Sequence, residues 1–127
     1  MKKGWFFGFG LGIFLVVMGC SQILNRVSMP TFDPTGGDYT NSVTVTVSCS
    51  TLGATIYIRR TAIFYSNTNL SLPPATQTTD QWTEYVSPLT FRTNSVYPVV
   101  RIVLEAYATQ EEKDPSKTNS ATYTLYK

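Results

Sequence analysis

The chain has 127 residues, room for one domain around a single core and little more. Charged residues make up only 14% and aromatics 13%, and Ser, Thr and Asn are abundant, a mixture that fits all-β globular structure and excludes a disordered polyampholyte. The formal charge of +2 belongs to Lys2 and Lys3; from Cys20 onward eight basic residues meet eight acidic ones, so no nucleic acid is expected as a partner, because phosphate binding needs a basic stripe.

After Lys2 and Lys3, residues 4–19, GWFFGFGLGIFLVVMG, carry no charge. A basic start, an apolar run and a small residue at its end read as a targeting segment. Sixteen helical residues would reach only ~24 Å, short of a hydrocarbon core of ~30 Å. Gly8, Gly10 and Gly12 would each weaken a permanent helix by up to ~1 kcal/mol. An uncleaved transmembrane anchor is thus the weaker alternative.

Where the run stops, Val17, Met18, Gly19 and Cys20 resemble the lipobox of bacterial lipoproteins. The resemblance implies a thioether-linked diacylglycerol on Cys20, cleavage before it, and further acylation by chains such as palmitate. Two or three acyl chains hold a protein to a membrane essentially permanently, since each buried methylene contributes ~0.8 kcal/mol. The expected address is the cell envelope, with the protein a lipid-anchored membrane protein. Ser21, rather than Asp, resembles the pattern that permits sorting onward to an outer membrane or cell surface. The expected organisation is a signal peptide over residues 1–19, a lipidated tether over 20–29 and one domain over 30–127.

From Pro30 the signals are strands and turns. A short edge strand is expected near Pro30 to Phe32. In the turn DPTGGDY, Asp33 and Asp38 could suggest calcium, but the run of oxygen ligands of a calcium loop is missing. Asp33, Pro34 and Gly36 fit a type I turn instead, and no metal is expected. In NSVTVTVSCS, Val43, Val45, Val47 and Cys49 alternate with Thr44, Thr46, Ser48 and Ser50, the period of a half-buried strand. Cys49 on that apolar face reads as a lone core thiol. ATIYIRR puts Ala54, Ile56 and Ile58 on one side, Tyr57 and Arg59 on the other. With Leu52 and Gly53 between them, the two runs predict a hairpin.

Residues 59–84, RRTAIFYSNTNLSLPPATQTTDQWTE, read as a long polar loop carrying Ile63, Phe64, Tyr65 and Trp82; the plainer alternative has TAIFYS extend the strand and Trp82 cover an open end of the core. A further edge strand is expected at about Tyr85 to Phe91. YPVVRIVLEAYAT then turns Ile102, Leu104, Ala106 and Ala108 inward and Val103, Glu105 and Tyr107 outward. A charged linker follows, and SATYTLYK closes with Ala121, Tyr123 and Leu125 on one face. Together these make an all-β, antiparallel β-sandwich of the immunoglobulin-like or fibronectin III-like kind.

Several of these stretches, PTFDPTGGDYTNSVTVTVSCSTLGATIYI, then YVSPLTF, LEAYA and SATYTL, resemble the chitobiase/β-hexosaminidase C-terminal domain. The resemblance implies an immunoglobulin-like accessory module of bacterial surface and secreted proteins, with no catalytic residues to carry over. It breaks at residues 59–84, where the family turns sharply.

The chain has no histidine, which removes the commonest general base and transition-metal ligand, and its acids fall in turns or on outward strand faces. Neither catalysis nor a cofactor is expected. Arg59 and Arg60 read as a solubilising strand end rather than an anion site. The expected function is that of a membrane-anchored lipoprotein presenting a non-catalytic interaction module, with the membrane as one partner through Cys20 and an envelope protein as the other. The alternative is a small carbohydrate-binding module that stacks sugars on Trp82, Tyr65 and Tyr57; exposed coplanar rings would favour it, and their burial would remove it.

Overall fold

A computed structural model describes residues 25–127. The expected signal peptide, Cys20 and the first part of the expected tether lie outside the described residues. Nine strands follow one another: β1 (Thr31–Asp33), β2 (Gly37–Thr40), β3 (Ser42–Ser48), β4 (Thr55–Tyr65), β5 (Thr76–Thr79), β6 (Thr83–Glu84), β7 (Leu89–Arg92), β8 (Val99–Thr109) and β9 (Asn119–Tyr126). They form two facing sheets: three strands in the order β1-β3-β7, and a larger sheet in the order β2-β9-β8-β4-β5, with β6 also on the β4 edge. The described residues form an all-β sandwich. The pairings among these nine strands are antiparallel except that of β2 with β9, which run parallel.

The alternation seen in the sequence places the core. Val43, Val45 and Val47 of β3 are buried while Ser42, Thr44, Thr46 and Ser48 are exposed. From β8, Ile102, Leu104, Ala106 and Ala108 point inward. Tyr123 and Leu125 of β9, Ile58 and Ala62 of β4, Phe32 and Phe91 complete the filling between the sheets. Each large apolar side chain buried this way contributes ~1.5 to 3 kcal/mol. Ala106 and Ala108 are both fully buried.

Three expectations are corrected. First, β3 and β4 do not form a hairpin. β3 pairs with β1 and β7, β4 with β8, β5 and β6, so residues 49–54 cross from one sheet to the other. Both strands bury one face against the same core, and placing them in opposite layers satisfies both patterns. Gly53 sits in this crossover at φ 78°, a conformation that suits glycine. Second, residues 59–84 are not one long loop; as in the plainer alternative, TAIFYS extends the strand. β4 continues through Tyr65, and only residues 66–75 separate it from the returning β5. Third, Cys49 lies beyond the end of β3, half-buried, with its thiol donating to the Ser28 carbonyl at 3.1 Å. In the turn before β2 the Asp33–Pro34 peptide bond is cis.

The N-terminal segment is held against one pole of the sandwich. Asn25 Nδ2 donates to the Glu112 carbonyl at 2.8 Å and Ser28 N to Thr51 Oγ1 at 2.9 Å. Asp114 N reaches the Asn25 carbonyl and Val27 N the Asp114 carbonyl. Val27 is only 2% exposed. Residues 25–29, expected within the tether, therefore belong physically to the domain.

At the β2–β9 junction Gly36 lies directly against backbone. A Cβ at that position would stand 2.6 Å from the Thr122 carbonyl oxygen and 3.0 Å from its nitrogen. Thr122 lies in β9, held to β8 through its pairing with Val103, so the strand cannot yield without breaking its own ladder. Gly36→Ala is expected to cost about 1 to 3 kcal/mol, read as a lowered urea midpoint.

Candidate functional site

The outer face of the large sheet carries a cluster that follows from strand register. β4 and β8 pair over their full lengths, from Thr55 opposite Thr109 to Tyr65 opposite Val99. Because side chains alternate, the odd-numbered residues of both strands share the face turned away from the core. This register sets Tyr57 beside Tyr107 and Arg59 beside Glu105. The two tyrosine rings stack with centroids 5.4 Å apart and planes 23° from parallel. Arg59 donates from Nε to Glu105 Oε1 at 2.9 Å, and its Nη2 lies 2.9 Å from the same oxygen.

Trp82 joins this group through a β-bulge. Thr61 pairs with Thr79 and Ile58 with Thr83; between those pairs β4 has two residues, 59 and 60, and the returning chain three, 80 to 82. The extra residue shifts the alternation by one, as bulges do. Trp82 thereby turns to the outer face with Arg59, where an unbulged ladder would have sent it inward. The Arg59 guanidinium lies 4.7 Å from the Trp82 ring centroid, and Trp82 meets Tyr107 edge-on at 4.9 Å and 74°. Arg60, on the opposite face, pairs with Asp80 in the bulge at 2.7 Å. Both arginines are thus paired within β4 rather than marking a strand end.

Of the residues expected to bind a ligand, the structure brings Trp82 and Tyr57 into one cluster and excludes Tyr65. Tyr65 is eight residues along β4 from Tyr57, about 26 Å at ~3.3 Å per residue. It is 6% exposed, and its hydroxyl accepts from Arg101 Nη1 at 3.3 Å. The Arg101 guanidinium covers its ring at 5.5 Å. Tyr65 is a structural residue. Tyr107, Arg59 and Glu105 are the members that sequence reasoning missed as a group; the outward alternation of 103, 105 and 107 was visible, but the strand pairing was not.

Two hollows lie away from this cluster among the described residues. A cleft of about 220 Å³ between the sheets has an apolar floor of Ile58, Leu89 and Phe91, and its charged wall is the Arg60–Asp80 pair. A second hollow, about 500 Å³, lies between β1 and the first half of β9. It is lined by Phe32, Asn119, Ser120, Ala121 and Thr122 together with Thr31, Thr35 and Gly36, none of them ionisable. Among the described residues no three His, Cys, Asp or Glu side chains come together as a metal site would require.

No family model, curated protein or solved structure matches the chain.

Proposed function

We propose that this chain is a lipid-anchored protein of the cell envelope whose β-sandwich is a non-catalytic contact module, with Tyr57, Trp82, Tyr107 and Arg59 as its contact surface. The observation that carries the reading is that cluster. Tyrosine, tryptophan and arginine are the side chains that supply most of the energy at interfaces, and here three aromatic rings and a guanidinium meet, half-buried, on the outer face of the large sheet. The strand order fits an immunoglobulin-like assignment: β1-β3-β7 corresponds to A-B-E and β9-β8-β4-β5 to G-F-C-C′, the architecture that the resemblance to the chitobiase C-terminal domain implies.

The sugar-stacking alternative loses support. Tyr65 is buried, Trp82 and Tyr107 stand at 74° to each other, and Tyr57 and Tyr107 cover one another's faces. A flat platform open to a sugar ring is not what these angles offer. The anchor rests on Val17, Met18, Gly19 and Cys20 following the uncharged run.

Cys20→Ser tests the anchor. The unsubstituted protein is expected in the membrane fraction, with a first residue of Cys20 carrying a diacylglycerol mass. The variant is expected to lose that mass and to keep residues 1–19. Mass spectrometry showing an unmodified chain from Met1 in the unsubstituted protein would overturn the reading.

A further inference from the structure

The pole that holds residues 25–29 has a defined relation to Cys20. Only residues 21–24 separate Cys20 from Asn25, and five extended steps span at most ~18 Å. Asn25 is fixed to residues 112 and 114 and Ser28 to Thr51. A lipid on Cys20 would therefore hold this pole, and no other, at the bilayer.

The same pole presents side chains suited to that place. Leu52, next to Thr51 at the tip of the crossover, is 89% exposed. Its turn is braced, because Gln110 Nε2 donates to the Leu52 carbonyl at 2.7 Å. The aromatic cluster begins close by: Tyr57 and Tyr107 are each two residues in from the Thr55–Thr109 pair that ends the sheet here. Tryptophan and tyrosine settle at headgroup depth, where an amphipathic ring has both its environments, and arginine keeps its charge in water while its stem lies along apolar surface. Arg26, Lys113 and Lys117 are balanced by Glu111, Glu112 and Asp114, so this pole offers apolar insertion rather than attraction to anionic lipid.

We propose that the partner of the contact surface is the bilayer itself: the domain leans on the membrane with Leu52 in the interface and Tyr57, Tyr107 and Trp82 in the headgroup layer. This rests on the lipid-anchor reading. The occupant is a phospholipid surface, with no preference for anionic headgroups.

The test uses the one tryptophan left once residues 1–19 are removed, since Trp5 and Trp82 are the chain's two. The acylated protein is reconstituted into phosphatidylcholine vesicles, plain or brominated near the glycerol end of the acyl chains. Flotation reports the anchor; Trp82 emission reports contact. The expected result is flotation in both and loss of Trp82 emission in brominated vesicles, unchanged when phosphatidylglycerol is added. Leu52→Asp, at an exposed side chain, is expected to float, to keep its urea midpoint and to recover the emission. Protein that floats with equal emission in both vesicles would overturn the bilayer contact while leaving the anchor intact. Quenching that survives Leu52→Asp would overturn the assignment to this pole. Protein that does not float would overturn the anchor, and the orientation with it.

Discussion

Replacing Leu104 with alanine is expected to remove about 2 to 5 kcal/mol of stability, toward the upper end of that range. Leu104 is fully buried on β8, the strand between β4 and β9 at the centre of the large sheet. Its neighbours across the two ladders are Arg60 and Ala121. Ala121 is small, and Arg60 directs its guanidinium to Asp80 at the edge of the seam. Neither can swing in to fill the space of a lost isobutyl group, so the cavity persists and its cost adds to the lost transfer energy. The adjacent outward position is the control: Val103→Ala removes a half-buried side chain from the other face of the same strand and is expected to cost under about 1 kcal/mol. Urea unfolding followed by far-ultraviolet circular dichroism would show the two midpoints well separated at a common slope. Equal midpoints would mean that the core does not lie where the alternation of β8 puts it.

That alternation explains how much of the fold could be read beforehand. In β3 the period of two runs unbroken across all seven residues, and in β8 it holds from Val100 to the end of the strand, after two successive buried valines; every inward residue assigned from it between Val43 and Val47 and between Ile102 and Ala108 is buried. What failed was connectivity. Proximity in sequence suggested that the Val43–Val47 and Ala54–Ile58 runs pair with each other, but alternation says which face a strand buries, not which strand lies beside it. Two half-buried strands joined by a short turn can close as a hairpin or straddle the core. β2 escaped notice for a related reason: GDYT has little apolar content, and its partner, Tyr123–Tyr126, is more than eighty residues away. Cys49 continued the valine pattern on paper, yet the ladder with β1 ends at Ser48, and the chain bends away before the pattern can act on it.

The outer-face cluster was legible in its parts and not in its assembly. Tyr57, Arg59, Glu105 and Tyr107 were all outward by parity, but their meeting depends on the register that puts 57 opposite 107. Trp82 was out of reach for a sharper reason. Its direction is set by one extra residue at Asp80–Gln81, and a single-residue bulge inverts every later assignment on its strand. Tyr65 falls outside the cluster because β4 runs on through TAIFYS, as the plainer alternative for residues 59–84 has it, and at the sheet's far end Tyr65 lies under Arg101.

Raising the pH from 10 to 12 is expected to destabilise the protein through Tyr123. This residue is fully buried in the core cluster, tilted against Phe91 and Tyr39, with its hydroxyl donating to the Pro34 carbonyl at 2.6 Å. Burial, then the neighbouring Tyr39 and then Asp33, pushes its pKa from 10.0 up to about 12. A raised pKa means that the folded state keeps a proton the unfolded state has already released. The stabilising contribution is therefore whole below pH 10, falls as the unfolded chain ionises, and is gone by about pH 12. The slope is about 1.4 kcal/mol for each pH unit, or roughly 2 to 3 kcal/mol across the interval. Tyr123→Phe keeps the ring and removes the ionisation. It gives up the hydrogen bond to Pro34 and leaves that carbonyl without its donor, at a cost of about 1 to 3 kcal/mol, so the variant starts less stable at pH 8 and loses less on the way to pH 12. Urea midpoints at both pH values for both proteins form the measurement. Parallel losses in the two would assign the alkaline transition to other tyrosines, and a variant as stable as the parent at pH 8 would remove the Pro34 hydrogen bond from the account.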